Sequence, residues 1–320
     1  MKRLKKLFIC ILSVILLAVS LTACSDNTSD NQNDYDGLSV VTTIFPVYDW
    51  VKNITGSSQG LVYLDKSGID MHSFEPTAND ILTIADADVF ICIGGISDEW
   101  VDAAIESSAN KDIRVIKLMD ITGGLLTETV EGMQDDEPHH DADISEYDEH
   151  IWLSLKNAQT AVSAIAKTLG EIDTQNSALY LQNAESYNKK LAELDVKYKN
   201  AVANAEKDTL LFADRFPFRY LTEDYGIEYY AAFPGCSAES EASFETITFL
   251  IEKTKELALE YIIILESSDG KLANTVSSET GAEILTLNSC QSVTSEDIET
   301  GKTYLSVMED NLAILTEALS

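Results

Sequence analysis

Residues 178–206 read ALYLQNAESYNKKLAELDVKYKNAVANAE, and this stretch decides how the chain is laid out. Tyr180, Ala184, Tyr187, Leu191, Leu194, Tyr198 and Val202 recur at spacings of three and four, which gathers them on one stripe of a helix. At about 1.5 Å per residue the helix is roughly 40 Å long, more than one small domain needs. The pattern predicts a spine between two lobes.

On both sides of it, short β-rich runs alternate with helical patterns. Upstream, strands are predicted at 40–45, 61–64, 88–93 and 114–118, with helices near 48–55, 78–85 and 99–107 and helical pattern again from about Asn157. Downstream, strands are predicted at 209–213, 228–233, 261–265 and 284–287, with helices near 244–257, 271–280 and 303–319. This alternation predicts an α/β fold, each half a small parallel sheet covered on both faces. Residues 121–149 break the rhythm with paired glycines and then an acidic run, which reads as an exposed loop. The expected organisation is a leader (1–23), a polar tether (24–37), an N-terminal lobe (38–177), the linking helix (178–206) and a C-terminal lobe (207–320).

The leader has Lys2, Arg3, Lys5 and Lys6 ahead of an apolar run over 7–21, too short for a comfortable membrane span. It ends in Leu21-Thr22-Ala23-Cys24, which resembles a bacterial lipobox and implies cleavage before Cys24 and lipid on its sulfur. The chain carries a formal net charge of −32, and cleavage would remove four basic residues and no acidic one. Nucleic acid is therefore excluded as a partner, because phosphate binding needs Lys and Arg surfaces. Acid also raises the local concentration of cations. Beyond the leader, Cys92, Cys236 and Cys290 are too few and too scattered for a disulfide framework, although a Cys236–Cys290 bridge is conceivable.

The chain has four histidines. His72 lies in IDMHSFEPTANDI (69–81), where Pro76 disfavours helix at Glu75 and Thr77 or Asn79 is placed to cap the next helix. Phe74 offers an apolar anchor. A histidine held in this way suits a metal ligand or a catalytic base. His150, in YDEHIWLSLKNA (147–158), sits at a similar loop edge; on its own it reads as a hydrogen-bonded histidine. His139 and His140 lie among carboxylates and would bind a divalent cation weakly, or simply be solvated.

HSFEPTANDI (72–81) with ADADVFICIGGISDEWVD (85–102) after it resembles the first signature of the cluster A-I solute-binding proteins, the zinc- and manganese-binding lipoproteins of ABC importers. TTIFPVYDWVKNITG (42–56) is similar to that family's opening strand and helix, DEHIWLSLKNA (148–158) to its second histidine motif, and NAESYNKKLAELD (183–195) to its linking helix. The resemblance spans about Ser39 to Leu319. It implies two α/β lobes joined by one long rigid helix, with metal between them, and it puts the first two ligands on His72 and His150. The third, a histidine or glutamate in the family, falls on Arg215 within LLFADRFPFRYLTEDYG (210–226). Arg has no lone pair to give. Asp214 is the expected substitute. For the fourth, Asn288 takes the family's acidic place; Glu266, at the end of YIIILE, and Cys290 are further candidates.

The implied function is an extracytoplasmic, lipid-anchored receptor, expected to be monomeric. It would capture one divalent transition metal ion, zinc or manganese, for a membrane permease with a cytoplasmic ATPase. No bond chemistry is implied. Two other readings stay open: a secreted zinc-dependent enzyme, disfavoured by the lack of HExxH, and a metal-binding surface adhesin.

Overall fold

The computed structural model describes residues 37–108, 110–127, 147–237, 241–291 and 293–320. Its N-terminal sheet contains β1 (Val40–Thr42), β2 (Leu61–Tyr63), β3 (Val89–Cys92) and β4 (Arg114–Lys117), all parallel, in the order β2-β1-β3-β4. The C-terminal sheet contains β5 (Thr209–Phe216), β6 (Glu228–Pro234), β7 (Tyr261–Leu265) and β8 (Glu283–Leu287), again parallel, in the order β6-β5-β7-β8. The two sheets share one topology. In each, the order reverses beside the first strand, which opens a crevice at the strands' carboxyl ends.

All eight strands fall where alternation predicts them. β1 stops three residues earlier than the predicted 40–45 run. Ile44 is the extended cap of the helix Phe45–Thr55, and Pro46 lies in its first turn, where a missing N–H costs nothing. That helix ends at Gly56, whose positive φ lets its N–H return to the Lys52 carbonyl at 2.9 Å. Three short helices went unpredicted: Leu118–Thr122, Arg219–Tyr225 and Ser295–Glu299.

The spine is the helix Ser177–Ala203. It buries Tyr180, Ala184, Tyr187, Leu191, Leu194 and Tyr198 as the spacing predicts, and Val202 is half-buried against the same core. It packs along the helices Leu155–Ile172 and Phe45–Thr55, and Tyr198 stacks on Tyr225 from the C-terminal half at 5.1 Å. The terminal helix Tyr304–Ala318 crosses back as well. Its first residue donates from N to Asp49 Oδ2 at 3.2 Å and from its hydroxyl to the Trp152 carbonyl at 2.5 Å.

One apolar cluster therefore runs through both lobes, holding Trp50, Trp152, Tyr198, Tyr304, Phe212, Phe216 and Phe218, all buried. Removing each such ring from water is worth about 2–3 kcal/mol. Smaller clusters cover the outer faces, around Phe90 and Val101 in one lobe and Leu250 and Ile262 in the other. The lobes share a wall, and at their carboxyl ends Arg215 and Asp70 pair from one lobe to the other.

β5 is irregular. Phe212 pairs with Ala231, but the next partners are Arg215 and Phe233, so β5 spends three residues where β6 spends two. Such a bulge re-aims the side chains beside it, here Asp214 and Arg215.

Candidate metal centre

His72 occupies a 3-10 turn, Met71–Ser73, that comes after β2. Asp70 caps the turn, accepting the His72 N–H at 3.0 Å. Downstream, Thr77 and Asp80 form a reciprocal capping box that starts the helix Ala78–Ala85. Phe74 packs near Trp100, with ring centres 6.3 Å apart. The turn is thus pinned at both ends and by an apolar anchor.

His150 is fully buried and precedes a second 3-10 turn, Ile151–Leu153. Asp148 Oδ1 accepts its backbone N–H at 2.7 Å and lies 3.2 Å from its Nδ1. The Asp148 backbone is itself held: its carbonyl accepts the Tyr220 hydroxyl at 2.8 Å, and its N–H donates to the Leu126 carbonyl at 2.8 Å. Tyr220 also accepts the Leu126 N–H at 3.2 Å, and Thr127 bridges Tyr147 in antiparallel fashion. These contacts close a neck between 126–127 and 147–148.

Both imidazoles use Nδ1 for the protein and turn Nε2 toward each other. The His72 Nδ1 lies 2.7 Å from Ser97 Oγ, and the two Nε2 atoms are 3.2 Å apart. Two nitrogens at roughly 2.0–2.1 Å from a tetrahedral zinc are about 3.3 Å apart, so the pair already stands at ligand spacing. A carboxylate only accepts, so Asp148 puts the His150 proton on Nδ1 and a lone pair on Nε2. Ser97 is a hydroxyl and plays either part. One His72 tautomer makes the Nε2 contact a hydrogen bond; the other turns both lone pairs to a shared cation. Burial, and then the neighbouring His150, hold the His72 pKa well below its ordinary value, which keeps it a neutral donor.

Behind Ser97 stands Glu149, buried, whose Oε1 accepts the Ser97 N–H at 3.0 Å. Its side chain lies across Gly95, where an added Cβ would meet Glu149 Oε1 at 2.3 Å and Cγ at 2.5 Å. The glycine of the GGIS stretch is required by this close approach.

Among the described residues, the group of three able to hold a metal is His72, His150 and Cys236, with ligand atoms within 4.8 Å of one another. The structure brings the two predicted histidines together and adds a cysteine that the sequence suggested only for a bridge. It leaves Asp214 and Glu266 out of this group. Asp214 spends its oxygens on backbone, accepting from Arg215 N at 2.8 Å and from Leu265 N at 3.1 Å, which staples β5 to β7 at the crevice. Glu266 holds Ser289 through N–H and hydroxyl at 2.9 and 2.7 Å. Asn288 Oδ1 accepts the Cys290 N–H at 2.8 Å. Cys290 is buried in the core with a positive φ of 62°, and Cys92, Cys236 and Cys290 are all thiols. Arg215 reaches across the cleft and forms an ion pair with Asp70, the residue that caps the His72 turn. His139, His140 and the lipidation candidate Cys24 lie outside the described residues.

The family model for ZnuA, the periplasmic component A of zinc-uptake complexes, matches residues 40–318. The chain belongs to the ZnuA family. It is 33% identical over 316 residues to the zinc-binding lipoprotein AdcA of Streptococcus pneumoniae R6, a match that covers 97% of this chain and 60% of AdcA. The chain thus spans about 60% of that relative's length. It is 29% identical over 325 residues to the high-affinity zinc uptake system protein ZnuA of Bacillus subtilis, covering 99% of this chain and 98% of that one. The crystal structure of the Zn(II)-bound ZnuA-like domain of Streptococcus pneumoniae AdcA superposes with a TM-score of 0.72 at 30% identity, covering 88% of this chain and 99% of that domain. The two-lobe plan is therefore that of ZnuA-family binding proteins. In the sequence, Cys236 was legible as a cysteine just past the predicted strand 228–233 and as a partner for Cys290, a bridge the structure does not form.

Proposed function

We propose that this chain is the extracytoplasmic, lipid-anchored receptor of a zinc importer, binding one Zn2+ as cargo between its lobes and delivering it to an ABC permease with its cytoplasmic ATPase. The observation that carries the reading is the facing Nε2 pair of His72 and His150, each ring fixed through Nδ1 by its own partner. Family membership and the zinc named for its relatives support zinc over the manganese that the sequence alone left open. The shared apolar wall limits lobe motion, so release proceeds through small shifts at the carboxyl-end loops. The test is native mass spectrometry with zinc titration. One zinc per chain is expected, with His72→Ala and His150→Ala each losing it; unchanged binding in both variants would sink the proposal.

A further inference from the structure

We propose that the C-terminal lobe contributes the Cys236 thiolate to the cargo shell, and that this sulfur makes the site select thiophilic cations such as Zn2+ over Mn2+. The inference rests on the cargo reading above. The C-terminal lobe has no histidine after His150. Its carboxylates at the crevice, Asp214 and Glu266, are occupied by backbone and serine donors. The position matching the family's third ligand is Arg215, turned to Asp70. Cys236 stands within 4.8 Å of the imidazole donors instead.

Its placement has a local cause. β6 ends at Pro234, and the Ser237 N–H closes a turn on the Pro234 carbonyl at 3.2 Å. Cys236 is the third residue of that turn, held at the carboxyl end of the edge strand. It is half-buried, so an arriving ion reaches it, whereas Cys92 and Cys290 are fully buried.

The donor set dictates the chemistry. Two neutral imidazoles and one thiolate leave a +1 complex with Zn2+, and zinc is bound by sulfur at about 2.3 Å and nitrogen at about 2.0–2.1 Å. Drawing the three donors onto one ion takes a shift of about 1 Å from the observed spread, within the reach of one side chain. Manganese prefers carboxylate and water oxygens, and loses this competition in both affinity and ligand type.

Cobalt(II) titration of the purified protein, monitored by absorption, tests this. A thiolate ligand adds an intense near-ultraviolet charge-transfer band; imidazoles give only weaker visible bands. The expected result is one cobalt per chain with that band, displaced by zinc. In Cys236→Ser the band is lost while the visible bands of the histidine-bound ion remain. Zinc affinity should fall by more than about 100-fold, the upper end of what loss of an outer-shell partner costs, with manganese affinity little changed. Alkylation of Cys236, read by mass, should be blocked by zinc. A cobalt complex without the band, a band that persists in Cys236→Ser, or an unchanged zinc-to-manganese ratio overturns the inference and leaves the cargo reading intact. Failure of both cobalt and zinc to bind one per chain removes both readings.

Discussion

Gly95→Ala is the sharpest probe of the scaffold behind His72. Gly95 has φ −98° and ψ −158°, an extended conformation that alanine adopts without strain, so the penalty is steric alone. The new methyl would lie 2.3–2.5 Å from three atoms of Glu149. Glu149 has to move by about 1 Å, an overpacking cost of roughly 1–3 kcal/mol. That movement withdraws the acceptor from the Ser97 N–H, and a buried unpaired donor costs roughly 1–3 kcal/mol more. The sum, about 2–6 kcal/mol, corresponds to a fall in Tm of roughly 5–15 °C for a chain of this size. Ser97 also loses its support against His72 Nδ1, so zinc affinity should drop by about 10- to 100-fold. Calorimetric melting and zinc titration measure the two effects. The decisive step is a double-mutant cycle: Glu149→Ala removes the obstruction, so Gly95→Ala should add almost nothing in that background. Additive penalties, or a wild-type Tm in Gly95→Ala, would refute the steric argument.

Other perturbations address the shared wall and the cleft. Tyr304→Phe removes the buried hydroxyl that donates to the Trp152 carbonyl, and should cost about 1–2 kcal/mol in chemical denaturation. Asp49 is raised by burial, although Tyr187 and the Tyr304 N–H both donate to its Oδ2. A carboxyl raised in the folded state favours folding when protonated and loses that advantage as pH climbs through its folded value. Asp49→Asn keeps both hydrogen bonds without the charge, so it should melt above wild type at neutral pH. The difference should vanish as pH falls to the unfolded Asp range near about 4; a constant difference across pH would contradict this. Arg215→Met breaks the interlobe ion pair with Asp70, whose pKa burial pushes up but Arg215 and His72 together bring below its ordinary value. Stopped-flow zinc release to a chelator should quicken about five- to tenfold, the equivalent of roughly 1 kcal/mol.

The strands and the spine were legible because each rests on periodicity, which burial enforces at every turn or alternate residue. β3, buried along its whole length, reads as the apolar run VFIC. The short helix Arg219–Tyr225 was not legible, since its seven residues carry no side-chain cap and its burial of Tyr220 and Leu221 is tertiary. At the site, His72 and His150 were read from motifs whose local turns are built by Asp70, Thr77 and Asp148. The C-terminal lobe was harder. Sequence placed Asp214 and Glu266 just past strands; Glu266 does follow β7, but Asp214 lies inside β5, which runs on to Phe216 through the bulge. Sequence could not reveal that neighbouring backbone amides claim their oxygens, or that a bulge between Phe212 and Arg215 re-aims the strand. Cys236 lies far along the chain from His150, and the meeting of the two lobes at their carboxyl ends, which no local pattern encodes, brings it near.

The Tyr220 hydroxyl does more than close the neck at Thr127 and Tyr147. It comes from the C-terminal half, yet it accepts the Leu126 N–H and donates to the Asp148 carbonyl, both in the N-terminal half. Asp148 in turn accepts the backbone N–H of His150. One phenolic oxygen is thus a rivet between the lobes, set two residues from an imidazole, and any shift of the helix Arg219–Tyr225 is felt at the seat of His150.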